Sequence, residues 1–464
     1  MSYTDFIDRK LSRVPPTGLS SIPELPADLF DFQAAIVRWA LQRGRAAIFA
    51  DTGLGKSRMQ LAWADTVNKE TGHDVLILAP LAVAAQTVQE GAEIGVTVRQ
   101  CRDGVEVQAG ITITNYDRLH RFDTSRFGAV VLDESSIIKH HSSKTLALLL
   151  EAFEQTPFKL CATATPAPND WTELGTHAQF LGICTQTEML SEYFVHDGGD
   201  TQSWRLKGHA RQQFWQWVAS WAALVRKPSD LGFDDSRYEL PALHIRQHVT
   251  KSTGHDSAAT GMLFALEANT LSERRDARRN SMTGRVAACA ALVNADAEPW
   301  IVWCDLNAEG DALRAAIPGA VEIRGSDDPD VKEQRLMDFA AGRIRVLITK
   351  PSIAGFGLNW QHCARMAFVG VTDSWEAYYQ AVRRCWRFGQ AREVNVHIFS
   401  SDLEGAVINN LQRKERDAKA MADSLSAETH DAVMQEVTGV TRQSNPYSPA
   451  RTATIPAWLV SEAA

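Results

Sequence analysis

Three groups of residues in this chain are suited to chemistry on a phosphate. The first is Ala50-Asp51-Thr52-Gly53-Leu54-Gly55-Lys56-Ser57. Its glycines let the backbone curl until successive N–H groups point at phosphate oxygens. An apolar run, Ala46 to Ala50, precedes it, and a helical pattern follows from Ser57 to Trp63. That strand–loop–helix setting is what a phosphate loop requires. Lys56 is placed to reach the β- and γ-phosphates of ATP, and the Ser57 hydroxyl to ligate Mg2+. The second group is Asp133-Glu134, directly after the apolar Ala129-Val130-Val131-Leu132. Asp133 is assigned to the metal, and Glu134 to orienting and deprotonating the attacking water. The third is Arg384 with Arg387, three apart and so on one helix face. Offered from a second lobe, they would stabilise charge on a transferring γ-phosphoryl group; contact with a phosphate backbone is the alternative use. Upstream, Phe32-Gln33 opens a stretch of helical apolar spacing. The Gln33 amide can donate and accept at once, which suits reading an adenine edge, or it can simply lie on a polar helix face.

The elements that must position these groups are legible as an alternation. Val75–Ala79, Ile111–Thr114, Ala129–Leu132 and Phe158–Ala162 are short apolar runs separated by helical stretches. This predicts an α/β fold with a parallel sheet covered on both faces. Ligands in such sheets sit outside the carboxyl ends of the strands. The phosphate loop, Asp133-Glu134 and Thr163-Ala164-Thr165 all fall there. A second alternating unit begins near Arg285, with strands Trp300–Cys304, Val346–Thr349, Met366–Val369 and Val394–Phe399. At 464 residues the chain is too long for one ordinary core, which agrees with two lobes. The region between them is aromatic. Phe214, Trp217, Trp221 and Leu224 have helical spacing and read as core, with base stacking as the lesser alternative. Arg274, Arg275, Arg278 and Arg279 would form either a basic stripe along a phosphate backbone or a solvated face.

Composition narrows the classes. A net charge of −8 argues against a wholly basic nucleic-acid coat but leaves room for a local basic groove. The seven cysteines are scattered without a Cys-x-x-Cys pair, so no zinc site or disulfide framework is expected. No run approaches the ~18 apolar residues of a membrane span. The N-terminus lacks a signal peptide's apolar core, and a cytoplasmic protein is expected.

In this order the motifs resemble those of superfamily-two helicases and, within them, the Swi/Snf-type double-stranded DNA translocases. Phe32-Gln33 with Trp39 resembles the adenine-reading Q motif, Asp51 to Ser57 motif I, and Ala79-Pro80-Leu81 motif Ia. Asn115 to Leu119 resembles motif Ib, Asp133-Glu134-Ser135-Ser136 motif II, and Thr163 to Pro166 motif III. Lys227 to Leu231 is similar to a segment near the lobe junction. Ala354 to Asn359, with Gly355, resembles motif V. Gln380, Arg384, Arg387, Gly389 and Gln390 match motif VI, including a Gly-Gln ending typical of the Swi/Snf type. Two departures stand out: Ser136 replaces a His, and Arg383 stands where eukaryotic members commonly carry Asp. The compact lobes are similar to those of minimal bacteriophage and bacterial members.

The resemblance implies two tandem RecA-like lobes, each a parallel sheet covered by helices, with ATP and Mg2+ in the inter-lobe cleft. Phe32, Gln33, Asp51 to Ser57, Gly355 and Gln380 would contact the nucleotide. Residues 1–30 then form an N-terminal arm, 31–235 the first lobe, 236–284 a connection, 285–412 the second lobe and 413–464 a C-terminal tail. Thr114 and Thr349 would offer hydroxyls to a nucleic-acid backbone. The implied activity is a nucleic-acid-stimulated ATPase that moves on double-stranded DNA. A strand-separating DNA or RNA helicase and an ATP-gated clamp are the alternatives. Partners would be DNA and, through the tails, phage or host replication, recombination or repair proteins, in a bacterial or phage-infected cytoplasm.

Overall fold

A computed structural model describes residues 14–80, 83–139, 143–168, 170–197, 200–250, 281–354, 358–370, 374–401 and 429–439, with 413 and 416. The first lobe is built on strands β1 (Arg45–Ala50), β2 (Asp74–Ala79), β3 (Val98–Gln100), β4 (Ile111–Asn115), β5 (Phe127–Asp133) and β6 (Phe158–Thr163). A hairpin of β7 (Phe194–Asp197) and β8 (Asp200–Leu206) follows, then β9 (Ala222–Val225). Seven of these make one sheet in the order β3-β4-β2-β5-β6-β1-β9, with every pair parallel. The second lobe carries β10 (Leu243–Thr250), β11 (Trp300–Trp303), β12 (Val321–Glu322), β13 (Val346–Thr349), β14 (Arg365–Phe368) and β15 (Val394–Ser401). They form a second parallel sheet, ordered β10-β15-β14-β11-β13-β12.

The continuous apolar runs become the central strands because both faces of a parallel sheet are covered. Residues Val75 to Ala79 and Val346 to Thr349 are all buried. Parallel connections right-twist the crossovers back over the sheet, so the functional loops gather at one edge. The loop after β1 feeds the helix Lys56–Thr71 through Gly55, which adopts a left-handed φ of 79°. A Cβ there would lie 2.3 Å from Gln33 Nε2, so both conformation and space demand glycine.

Several boundaries differ from the sequence reading. β10, placed in the connection, pairs with β15 at eight positions and is an edge of the second sheet. Its mixed side chains (Leu243 to Thr250) alternate without an apolar run, which hid it. Residues 14–29 do not stand away as an arm: the Gly18 N–H donates to the Gln42 carbonyl, and Leu25 and Leu29 are buried on the first lobe. Part of the C-terminal tail returns as a helix over residues 429–438. Val433 enters the first lobe's core, and Glu436 pairs with Arg43. The aromatic region is core as expected, since Phe214, Trp217, Trp221 and Leu224 are all buried. They do not share one helix, however. The helix ends at Ala219, and Leu224 belongs to β9. The arginines at 274, 275, 278 and 279, together with Gly355 and Leu81, lie outside the described residues.

Candidate nucleotide site

The two lobes enclose a cleft of about 630 Å³, lined by Lys56, Asp133 and Glu134 from the first and by Leu358, Arg384 and Arg387 from the second. All three groups singled out in the sequence thus meet at one place. Thr52, Gly53, Gly55 and Ser57 line it as well.

Lys56 Nζ donates to the Ala50 carbonyl at 2.9 Å and the Asp51 carbonyl at 3.3 Å. Burial pulls its pKa down, while Glu134, Asp51 and Asp133 oppose that pull. The cation is therefore held inside its own loop, ready to exchange carbonyls for phosphate oxygens. Asp133 accepts a hydrogen bond from Gln60 Nε2 at 2.7 Å. Burial, and then the neighbouring Glu134 charge, raise its carboxyl to about 6. Ser57 and Asp133 both line the cleft, and Asp133 is a buried carboxylate whose side-chain hydrogen bond comes from the neutral Gln60 amide. That donor set fits Mg2+, which would screen the phosphate charges when bound.

Glu134 is the only non-glycine residue with positive φ among those described, at φ 50° and ψ 51°. Such a conformation costs of order 1 kcal/mol or more and persists only where the surroundings impose it. One imposing contact is the Tyr116 hydroxyl, which donates to the Asp133 carbonyl at 2.7 Å, on the peptide just before Glu134. Glu134 lines the cleft, and its Oε2 is buried without a hydrogen-bond partner. A buried unpaired acceptor at this point is what a water-orienting base needs.

From the second lobe, Arg384 Nη1 and Arg387 Nη1 both donate to the Leu358 carbonyl, at 3.3 and 3.2 Å. Arg384 Nε is tied to the Gln380 carbonyl, whereas Arg387 Nε is buried without a partner. Burial, then Arg384, lower Arg387 to about 10, and burial lowers Arg384 as well. Two guanidiniums on one carbonyl leave positive charge facing the cleft, and an anion there would relieve it. The Gly-Gln ending supports them: Gln390 Nε2 donates to the carbonyls of Gln361, Cys363 and Cys385 and so fixes the loop around the arginines.

Other expected contacts fall differently. Phe32 is packed into the core edge-on to Tyr238, and the cleft is lined instead by Phe30, Tyr238 and Phe388. Phe32 points inward because it sits on the apolar stripe with Ile36 and Trp39. Gln33 lines the cleft, but its amide accepts from the Phe30 N–H and donates to the Leu54 carbonyl. It braces the phosphate loop. Leu54 is buried, and the Asp51 carboxylate turns away toward the second lobe. Gln380 is buried with Nε2 at 3.5 Å from Thr165 Oγ1, so it joins motif III to the second lobe and does not face the nucleotide. Thr114 Oγ1 is buried, and Thr349 Oγ1 donates to the Ile323 carbonyl, so neither hydroxyl is offered to a ligand. Gln60 was not singled out, and Tyr116 and Leu358, though they fall in the stretches that resemble motifs Ib and V, were given no role at the nucleotide site. Beside Ser136, which is buried, the Ser135 hydroxyl meets His177 Nε2 at 3.2 Å. Burial lowers His177 to about 4, so it is a neutral structural partner.

A second cavity, of about 560 Å³, lies on the other side of motif II. Pro80, Asn115, Tyr116 and Lys139 come to it from the first lobe, and Ser352 and Ile353 from the second. Glu134 borders both cavities. No helix among the described residues is long and apolar enough to cross a membrane.

Residues 292–389 match the family of helicase conserved C-terminal domains. That stretch contains the Leu358 carbonyl and both cleft arginines. The match lies wholly within the second lobe. Among solved structures, the chain is similar to the SWI2/SNF2 ATPase core of Sulfolobus solfataricus in complex with dsDNA, at 16% identity and a TM-score of 0.42, covering 90% of this chain and 99% of that one. No curated protein matches the sequence.

Proposed function

We propose that the chain is a Swi/Snf-type motor that hydrolyses ATP between its lobes and uses the resulting opening and closing to move along double-stranded DNA. The observation that carries this reading is Glu134, which borders the nucleotide cleft on one side and a two-lobed groove on the other. A ligand in the groove therefore touches the element that orients the hydrolytic water.

In the cleft, the N–H groups after Thr52 and the Lys56 ammonium would bind the phosphates, and Ser57 and Asp133 would hold Mg2+. Glu134 would take the proton of the attacking water, and Arg384 and Arg387 would face the developing charge on the transferring group. In the groove, Lys139, Lys332 and backbone N–H groups would meet the phosphates of the nucleic acid. Duplex DNA is favoured over single strands because the Gly389-Gln390 ending resembles that of the Swi/Snf type, whose members track duplex DNA. The compact lobes suit a minimal bacterial or phage member acting in the cytoplasm, with replication, recombination or repair proteins as partners.

The test is an ATPase panel with duplex DNA, single-stranded DNA and RNA at matched nucleotide concentration. Duplex DNA is expected to give the largest stimulation, weakening with salt as counterion release diminishes. Preferential stimulation by RNA would move the assignment to an RNA helicase.

A further inference from the structure

Tyr379 lies on the helix Trp375–Val382 and Arg383 in the turns directly after it, beside the cleft arginines, but neither lines the cleft. Both reach across the lobe boundary to Asp51, at the start of the phosphate loop. The Tyr379 hydroxyl donates to Asp51 Oδ1 at 2.8 Å, and Arg383 Nη2 donates to Oδ2 at 3.2 Å. The Thr52 N–H also donates to Oδ1, at 2.6 Å, so the carboxylate fixes its own loop while it is held from the other lobe.

The second-lobe half of this contact is pre-organised. The Arg383 guanidinium carbon lies 5.2 Å from the Tyr379 ring centroid and 4.6 Å from that of Trp386. Its Nε donates to the Tyr379 hydroxyl at 3.2 Å, and Tyr379 is itself stacked on Trp375. These contacts are all within the second lobe, so they hold the fork in place before Asp51 arrives. Side-chain exposure of only 11% for Arg383 and 23% for Asp51 limits solvent screening of the pair. Burial alone would raise the Asp51 carboxyl, but the Arg383 charge and the Tyr379 hydrogen bond outweigh it and hold it below its usual range.

We infer that Arg383 and Tyr379 are positioning residues for hydrolysis. They form a clamp that engages Asp51 only when the lobes close, and so register the phosphate loop against Arg384 and Arg387. The inference rests on the cleft being the ATP site.

The test is a double-mutant cycle in the full chain with Asp51→Asn, Arg383→Gln and the pair together, plus Arg383→Lys. The readings are kcat with saturating nucleic acid and the Kd of a non-hydrolysable ATP analogue. Each single variant is expected to lower kcat about tenfold, the scale of an inter-site coupling. The double variant should be no worse than the poorer single one, and analogue affinity and thermal midpoint should hold. Arg383→Lys should fall between wild type and Arg383→Gln, because it keeps the charge and loses the fork. Multiplying single effects, or analogue affinity falling in step with kcat, overturns the clamp. If Asp51→Asn alone abolishes analogue binding, the two Arg383 variants decide by the same kcat-against-Kd criterion. A wild-type chain that does not hydrolyse ATP would refute the cleft assignment instead.

Discussion

Asp133→Asn should make the protein more stable and inactive at once. Asp133 is buried, and its one side-chain donor is Gln60. Burial and Glu134 raise its carboxyl from 3.8 to about 6. An acid whose folded pKa lies above its unfolded one is bound to its proton more tightly in the fold. Its ionisation therefore destabilises the fold, and the cost grows as pH rises from about 4 through about 6. At pH 7 the full gap applies, roughly 3 kcal/mol at about 1.4 kcal/mol per pKa unit. Asparagine keeps an acceptor for Gln60 and removes the charge, but its amide needs a partner from cleft water, so about 1–3 kcal/mol of gain is expected. For a lobe of this size that is a rise of several degrees in Tm. The assay is thermal unfolding of both proteins without nucleotide from pH 4.5 to 8, beside steady-state turnover. The stability gap should be widest above pH 7 and shrink as pH falls through 6, while hydrolysis drops a hundredfold or more. A variant no more stable than wild type at pH 8, or a gap that does not change with pH, would refute the reasoning.

Three further outcomes follow from the same geometry. Glu134→Gln should bind ATP normally and hydrolyse it at least a hundredfold more slowly, about 3 kcal/mol in barrier, as judged by single-turnover kinetics; near-normal turnover removes Glu134 from its role. Arg384→Lys and Arg387→Lys each lose a fork nitrogen on the Leu358 carbonyl. Both should cut turnover more than analogue affinity, and normal turnover in both would show that the second lobe supplies no finger. Tyr116→Phe removes the hydroxyl that pins the Asp133 carbonyl, a bond worth about 1 kcal/mol. It should lower nucleic-acid-stimulated kcat several-fold with nucleotide affinity intact, and an unchanged stimulated rate would disconnect Tyr116 from Glu134.

The sequence was most readable where one residue type has one physical use. Gly55 and Lys56 stood out because a phosphate loop tolerates few substitutes, and the Asp133-Glu134 pair, which alone would read as a solvated turn, stood out because it follows such a loop at the end of an apolar strand. Arg384 and Arg387 were singled out by a spacing that would put them on one helix face; the helix ends at Val382 and both lie in the turns that follow, yet both reach the cleft. Direction of burial was harder. Phe32 and Phe30 are two apart and both meet Tyr238 edge-on; only the folded packing shows that Phe32 enters the core while Phe30 lines the cleft. Thr114 and Thr349 lie at strand ends, yet the strands are covered on both faces, so their hydroxyls turn inward. Gln380 and Asp51 belong to nucleotide motifs by position, but their side chains serve the contact between lobes. Such long-range pairing has no local sequence signature. β10 escaped notice for a related reason: an edge strand exposes one side and carries no apolar run.

The central claim is that ATP turnover between the lobes drives movement on duplex DNA. The most direct measurement is displacement of a triplex-forming third strand from a duplex, followed in time with ATP, with a non-hydrolysable analogue, and with Glu134→Gln plus ATP. The account predicts displacement only by the wild-type chain with ATP, with no parting of the duplex in a parallel tailed-duplex assay. Equal displacement with the analogue, or efficient unwinding of the tailed duplex, would contradict it.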